Sequence, residues 1–261
     1  MKDKKYVIWG GTDLDLDHRN RYHNFKKIMN YGIDINYAIS NNLEKRMQSY
    51  KMDYKRINFS LLDENSFYPI SIKGPNIFIY NGYNEGNEEI YGKKIYENVI
   101  NLLPEYNFIL SNKLKIPNNK MHEIYKKCFI GLRLTQKDGN ANMVEELINM
   151  NIPIVHNGDY DKAIPWNDII SIINAIKKNI PKILIIFEKD MNLHDGSLIW
   201  LNNFISLIQK FYVNTKIVVY CKVLDPSIKI DNVTFVDNLT SYNYDHIFFR
   251  IMDKNIKFEK Y

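Results

Sequence analysis

Cysteine is scarce in this chain: Cys128 and Cys221 are the only two in 261 residues. That excludes a disulfide framework, and both lie in or beside expected strands, where they read as small core residues in a reducing compartment. Long apolar runs are missing as well. Every run falls far short of the ~18 residues of a membrane-spanning helix. The opening stretch MKDKKYVIWGG passes from charge straight into a short strand, without the apolar region and cleavage site of a signal peptide. Charge of one sign is also weak, because 35 Lys and Arg against 30 Asp and Glu leave a formal +5 that is thinly spread. This gives no case for nucleic acid, and the basic clusters Lys2 to Lys5 and His18 to Arg21 read as solvated faces. After KYVIWGG the full three-glycine dinucleotide fingerprint is absent. Asp13, Asp15 and Asp17 lack the later ligands of a calcium loop and read as solvated loop acids. No clustered metal-ligand set stands out elsewhere. These absences predict a cytosolic, cytoplasmic protein with no metal, no cofactor, no nucleic-acid partner and no membrane span.

What is present is an ordinary globular composition, 45% apolar and 25% charged, enough for one large or two small cores. Heavy use of Asn, Lys, Ile and Tyr points to AT-rich coding DNA, such as that of a large DNA virus or an AT-rich microbe. Strands are expected at Lys5–Gly11, Ile35–Ser40, Arg56–Leu61, Asn76–Asn81 and Asn107–Ser111. Helices are expected between them at Arg19–Tyr31, Leu43–Met52 and Ile90–Leu103, with a short one at Met121–Lys127. Alternation of this kind implies parallel pairing with right-handed crossovers. A helix over Trp166–Lys178 closes a first domain, residues 1–178. The pattern then restarts with a strand at Lys182–Phe187, a helix at Ser197–Tyr212, and strands at Thr215–Cys221, Val233–Asp237 and His246–Arg250. Residues 179–261 form a second, smaller domain that looks incomplete. The expected fold is α/β, two Rossmann-like parallel-sheet domains.

The richest stretch is Cys128 to Asn157, CFIGLRLTQKDGNANMVEELINMNIPIVHN. It reads as a buried strand (Phe129–Leu134), a Gly/Asn-rich turn (Asp138–Asn142), a helix to about Met150 and a short strand at Pro153–Val155. Met143, Val144, Leu147 and Ile148 form one apolar stripe. The turn would bring free N–H groups and a positive helix end to the carboxyl edge of a sheet, where phosphates bind in open α/β folds. Gly139 and Ala141 leave room for a diphosphate. Asp138 and Glu146, seven residues apart in between, could face one pocket; a capping Asp138 and a solvated Glu146 is the plainer alternative. Arg133, inside the feeding strand, needs an anionic partner if buried, either Asp138 or a ligand. A second Gly-rich turn follows the strand at Asn76–Asn81, and Gly82, Asn84 and Gly86 would furnish backbone donors there.

This segment resembles the donor-binding half of retaining, nucleotide-sugar-dependent glycosyltransferases of the GT-B type, in particular the family-four group. These carry an acid, seven residues and a Glu, then a helix ending in a small residue and a Pro-Val strand. The counterparts are Asp138, Glu146 and the run Asn151 to Val155, with Asp in place of the usual Glu and Asn151 where Gly is common. The resemblance implies a GT-B-like pair of domains and transfer of a sugar, a hexosyltransferase activity, from a nucleotide diphosphate to an unknown hydroxyl acceptor without a metal. In it Asp138 holds the sugar, the backbone of Gly139, Asn140, Ala141 and Asn142 binds the sugar and diphosphate, and Glu146 accepts from ribose hydroxyls. Lys113 or Arg133 offsets the charge of the leaving diphosphate. Residues 179–261 resemble the opening of an acceptor domain, so that Asp195, Gly196 and Ser197 would touch donor or acceptor; helix capping by Asp195 or Ser197 is the alternative. The donor-like part precedes the acceptor-like part, the reverse of the usual order, which implies either a permuted chain or further domains of a longer one. Two other functions remain open: a non-catalytic nucleotide- or partner-binding module, and a sugar-nucleotide epimerase.

Overall fold

In the computed structural model the described residues are 3–10, 14, 16, 19–57, 60, 62–70, 73–82, 86, 88–114, 116–135, 141–158, 160–187, 196–212, 215–221, 227–237 and 244–250. The chain is an α/β protein, and among the described residues its strands form three sheets, every pairing of which is parallel.

The first sheet takes β1 (Tyr6–Trp9), β2 (Ile35–Ala38) and β3 (Tyr54–Arg56), joined by α1 (Arg19–Met29) and α2 (Asn41–Ser49). Trp9, Leu14, Ala38, Leu43 and Met47 make its core. Trp9 Nε1 donates to Asn36 Oδ1 at 3.0 Å, which satisfies a polar pair that burial would otherwise penalise. β3 starts earlier than the sequence suggests and stops at Arg56, not Leu61. Its partner sets that limit: β2 ends at Ala38, because Ser40 then caps α2 by accepting from the Leu43 amide.

The middle sheet is built from β4 (Asn76–Ile79), α3 (Lys93–Leu102), β5 (Phe108–Leu110), α4 (Met121–Tyr125), β6 (Cys128–Leu132), α5 (Asn142–Asn149), β7 (Ile154–Val155) and α6 (Ile169–Lys178). Its strand order is β5-β4-β6-β7. α3 and α6 cover one face through Tyr96, Val99, Ile172 and Ile176, while α4 and α5 cover the other through Tyr125, Met143, Val144 and Leu147. All five residues of β6 are buried, as a parallel strand clad on both faces requires. Cys128 is part of this core, and burial pushes its thiol pKa far up. α6 begins at Ile169 rather than Trp166, because Asp168 caps it, accepting from the Ser171 amide at 2.7 Å.

The third sheet holds β8 (Lys182–Phe187), β9 (Lys216–Cys221), β10 (Val233–Val236) and β11 (His246–Arg250) in the order β10-β9-β8-β11, with α7 (Gly196–Phe211) packed on one face. Middle and third sheets meet at Lys73, just before β4. Its Nζ lies 3.4 Å from Asp245 Oδ1, and its carbonyl accepts from the Tyr212 hydroxyl (3.3 Å) and faces His246 Nε2 (3.1 Å). No helix among the described residues is long and apolar enough to cross a membrane.

Candidate functional site

β4 has β5 on one side and β6 on the other, so the direction of winding reverses at β4. At such a switch point the connections leaving the carboxyl ends of neighbouring strands diverge to opposite faces and leave a crevice. A cavity of about 290 Å³ lies there. Tyr80 follows β4, Ser111 follows β5 and Arg133 follows β6; Asn118 and Tyr125 come from α4 and its approach, and Ala141 to Met143 from the start of α5. Leu114, Ile116, Met121 and Met143 give its lining apolar groups, and Ser111, Asn118, Arg133 and Asn142 give it polar ones.

The ends of β4 and β5 are tied together behind this wall. Asn81 is buried, its Oδ1 accepting from the Asn112 amide (3.0 Å) and facing Ser111 Oγ (3.1 Å). Ser111 Oγ also reaches the Gly82 carbonyl at 2.8 Å. Gly82 is buried with φ +97°, a left-handed conformation that glycine adopts without strain. Asn112 Nδ2 donates to Glu88 Oε1 (3.2 Å), and the Gly86 amide donates to Glu88 Oε2 (2.9 Å). Hydrogen bonds from the backbone N–H of Glu88 itself, and then from Gly86, hold this carboxyl below its ordinary pKa.

Arg133 is buried and lines the cavity, its guanidinium carbon 4.3 Å from the Tyr80 ring centre and 5.5 Å from that of Tyr91. The two rings meet edge to face at 4.9 Å, and both lie within cation–π reach of the guanidinium. Burial is the largest cause that pushes the Tyr80 phenol up to about 12; Arg133 pulls the other way. Tyr80 is therefore a neutral hydroxyl at physiological pH.

Glu146 is 2% exposed, one turn into α5 and just behind the wall. Its Oε2 accepts from the Tyr125 hydroxyl at 2.8 Å and its Oε1 from Asn118 Nδ2 at 3.2 Å. Burial raises its pKa, and the two hydrogen bonds oppose the rise. The sequence marks the acid but not its partners. Tyr125 and Asn118 stand 21 and 28 residues away and carry no local signature.

Ala141 lines the cavity, but its amide donates to the Tyr160 hydroxyl at 2.6 Å, so that donor is already used. The connection after β7 folds back and brings Tyr160 over the entry to α5, so the chain itself supplies an acceptor for this amide. Asn142 and Met143, the first residues of α5, also line the cavity, and Ala141 supplies no side-chain cap to the helix end. Lys113 sits in an exposed turn after β5 and is not part of the cavity wall. Gly196 opens α7, whose far end holds Tyr212 against Lys73 at the amino end of β4, so it does not line the cavity either. Ser197 is buried beside it. Asn84, Asp138, Gly139, Asn140 and Asp195 lie outside the described residues. Among the described residues no group of three or more His, Cys, Asp and Glu side chains is placed to hold a metal ion.

No protein-family model matches the chain, and no curated protein matches it. Fold and cavity define the class only as far as an α/β protein of parallel sheets with a mixed polar and apolar crevice at a switch point.

Proposed function

We propose that the switch-point cavity binds a nucleotide-diphosphate sugar and that the chain is a glycosyltransferase, moving the sugar to a hydroxyl acceptor, with retention by its resemblance to the family-four GT-B enzymes. The observation that carries the reading is Arg133, a buried cation beside two tyrosine rings in the cavity wall, which also includes the start of α5, where Ala141 supplies no side-chain cap. Both favour an anion at that point, and both would stabilise the charge that develops on a departing diphosphate. The apolar lining residues Leu114, Ile116 and Met121 suit a nucleobase. Glu146 would accept from the ribose hydroxyls once Tyr125 or Asn118 turns aside, and Asp138 would orient the sugar. In this reading β4 to α6 form the donor domain of a GT-B-like pair. Cys128 and Cys221, both buried and not joined in a disulfide, fit a cytoplasmic setting.

Calorimetric titration of UDP-, GDP- and ADP-sugars tests this directly. Arg133→Ala should bind the preferred donor about 10- to 100-fold more weakly, the cost of a lost charge-assisted contact, with its circular dichroism unchanged. A well-folded wild type that takes up none of these donors sinks the proposal. A second reading, a nucleotide-binding module without catalysis, is favoured by the absence of Gly196 from the cavity wall and by the capture of the Ala141 amide by Tyr160. Nucleotide release from the bound sugar supports the enzyme; binding without release supports the module.

A further inference from the structure

α7 departs from the pattern of a helix that covers a sheet with one face. Leu201, Ile205 and Ile208 enter the core of the third sheet, yet Ile199, Trp200, Leu207 and Phe211 are 37 to 67% exposed. Lys210 is the only charged residue among its 16. Trp200, Phe204, Leu207 and Phe211 are spaced by four, three and four, which lays them along one flank. That flank looks toward β11: Trp200 stacks on Phe204 at 4.8 Å, and Phe204 meets Phe248 edge to face at 5.2 Å. β11 is an edge strand, paired with β8 and with no further strand beyond it among the described residues. Its Ile247 and Phe248 are exposed as well.

We propose that this surface is a two-fold contact between two copies of the chain. β11 pairs antiparallel with its equivalent, and α7 lies antiparallel along the second copy's α7 on the same face of the joined sheet. An edge strand presents unpaired N–H and C=O groups that accept another strand. An apolar flank beside it accepts a helix. A lone helix would leave the edge open and a lone strand would leave the flank exposed, whereas a second copy brings both at the required spacing.

A two-fold contact must also be self-complementary, and this flank is. The four-three-four spacing reads the same in both directions, so an antiparallel pair centred between Ile205 and Ser206 sets Trp200 against Phe211 and Phe204 against Leu207, twice over. Charge is compatible too. α7 carries no acid, and in the antiparallel pair the two Lys210 side chains fall at opposite ends, so like charges do not meet. Six large apolar side chains plus a paired strand edge are of the order of the roughly 800 Å² per partner in a standard interface.

Light scattering after gel filtration of the full chain reads the outcome. Wild type should run at twice 31.0 kDa, and Leu207→Glu at the mass of one chain with unchanged circular dichroism and melting temperature, since Leu207 is half exposed and outside the core. Independently, Leu207→Cys should cross-link between copies with a short bis-maleimide, while the buried Cys128 and Cys221 of the wild type should not. A wild type that stays monomeric at high concentration overturns the proposal. So does a dimer that survives Leu207→Glu, or a dimer in which Leu207→Cys fails to cross-link.

Discussion

At Glu146, burial and hydrogen bonding pull in opposite directions, and burial is the larger effect. The sign of the consequence follows from proton linkage. With the folded pKa raised above its ordinary 4.5, the folded chain keeps a proton that the unfolded chain has already released. Stability should therefore fall as pH rises from 4.5 through the raised value, and urea unfolding of Glu146→Gln should lack that slope. Only the carboxylate accepts through both of its oxygens and with a full charge, so donor affinity should rise over the same window in wild type and stay flat in Glu146→Gln, which should bind about tenfold more weakly at pH 7. Affinity that is independent of pH in both would separate Glu146 from the ligand. Glu146 and Arg133 are legible in the sequence because each is a charge set into an apolar pattern. Tyr125, Asn118 and Tyr160 are not, because ordinary residues acquire their roles only when distant elements are brought together by the fold.

Elements were largely legible, since the alternation of short apolar runs with 3.6-period stripes gives β and α their places along most of the chain. Their ends were less so, because caps and strand partners decide them, as at Asp168 and at Arg56. The grouping of strands was hidden altogether: periodicity makes a strand, but hydrogen-bonded register puts β1 to β3 in a sheet apart from β4 to β7. Asn151 is informative here. Its φ of +59° ends α5 in the left-handed region, which Gly and Asn tolerate best, so an Asn in a Gly position keeps the same turn. Two glycines test how tightly elements are seated. A Cβ on Gly131, in β6, would meet only the side-chain tips of Leu147 and Ile154, at 2.4 and 3.0 Å, which can shift. A Cβ on Gly74 would meet the Lys127 backbone at 2.2 Å, with no such freedom. Gly131→Ala should cost about 1 kcal/mol and Gly74→Ala about 3 kcal/mol or more in urea unfolding. Equal costs would mean that the strand entering at Gly74 is loosely held.

For the molecule as a whole, the junction at Lys73 decides how middle and third sheets hold together. The Lys73–Asp245 pair is partly exposed and contributes only about 0.5 kcal/mol. The buried His246 matters more. It packs against Tyr212 with ring centres 5.0 Å apart and faces the Lys73 carbonyl, and burial lowers its pKa while that hydrogen bond and Asp245 resist. A histidine whose folded pKa lies below its ordinary 6.5 takes up its proton first in the unfolded chain, so the stability it supports is present above 6.5 and is lost as pH falls through the window beneath it. Hydrogen exchange at β8 and β11 should accelerate between pH 7 and 5 once corrected for intrinsic rates, while β4 and β6 should lose no protection, because protonation of Glu146 favours the folded middle sheet as pH falls. His246→Gln can still donate to the Lys73 carbonyl but takes up no proton, so it should abolish the acceleration at β8 and β11. If β4 and β6 lost protection in step with β8 and β11, the junction would be too rigid to part, and the two sheets would open as one cooperative unit.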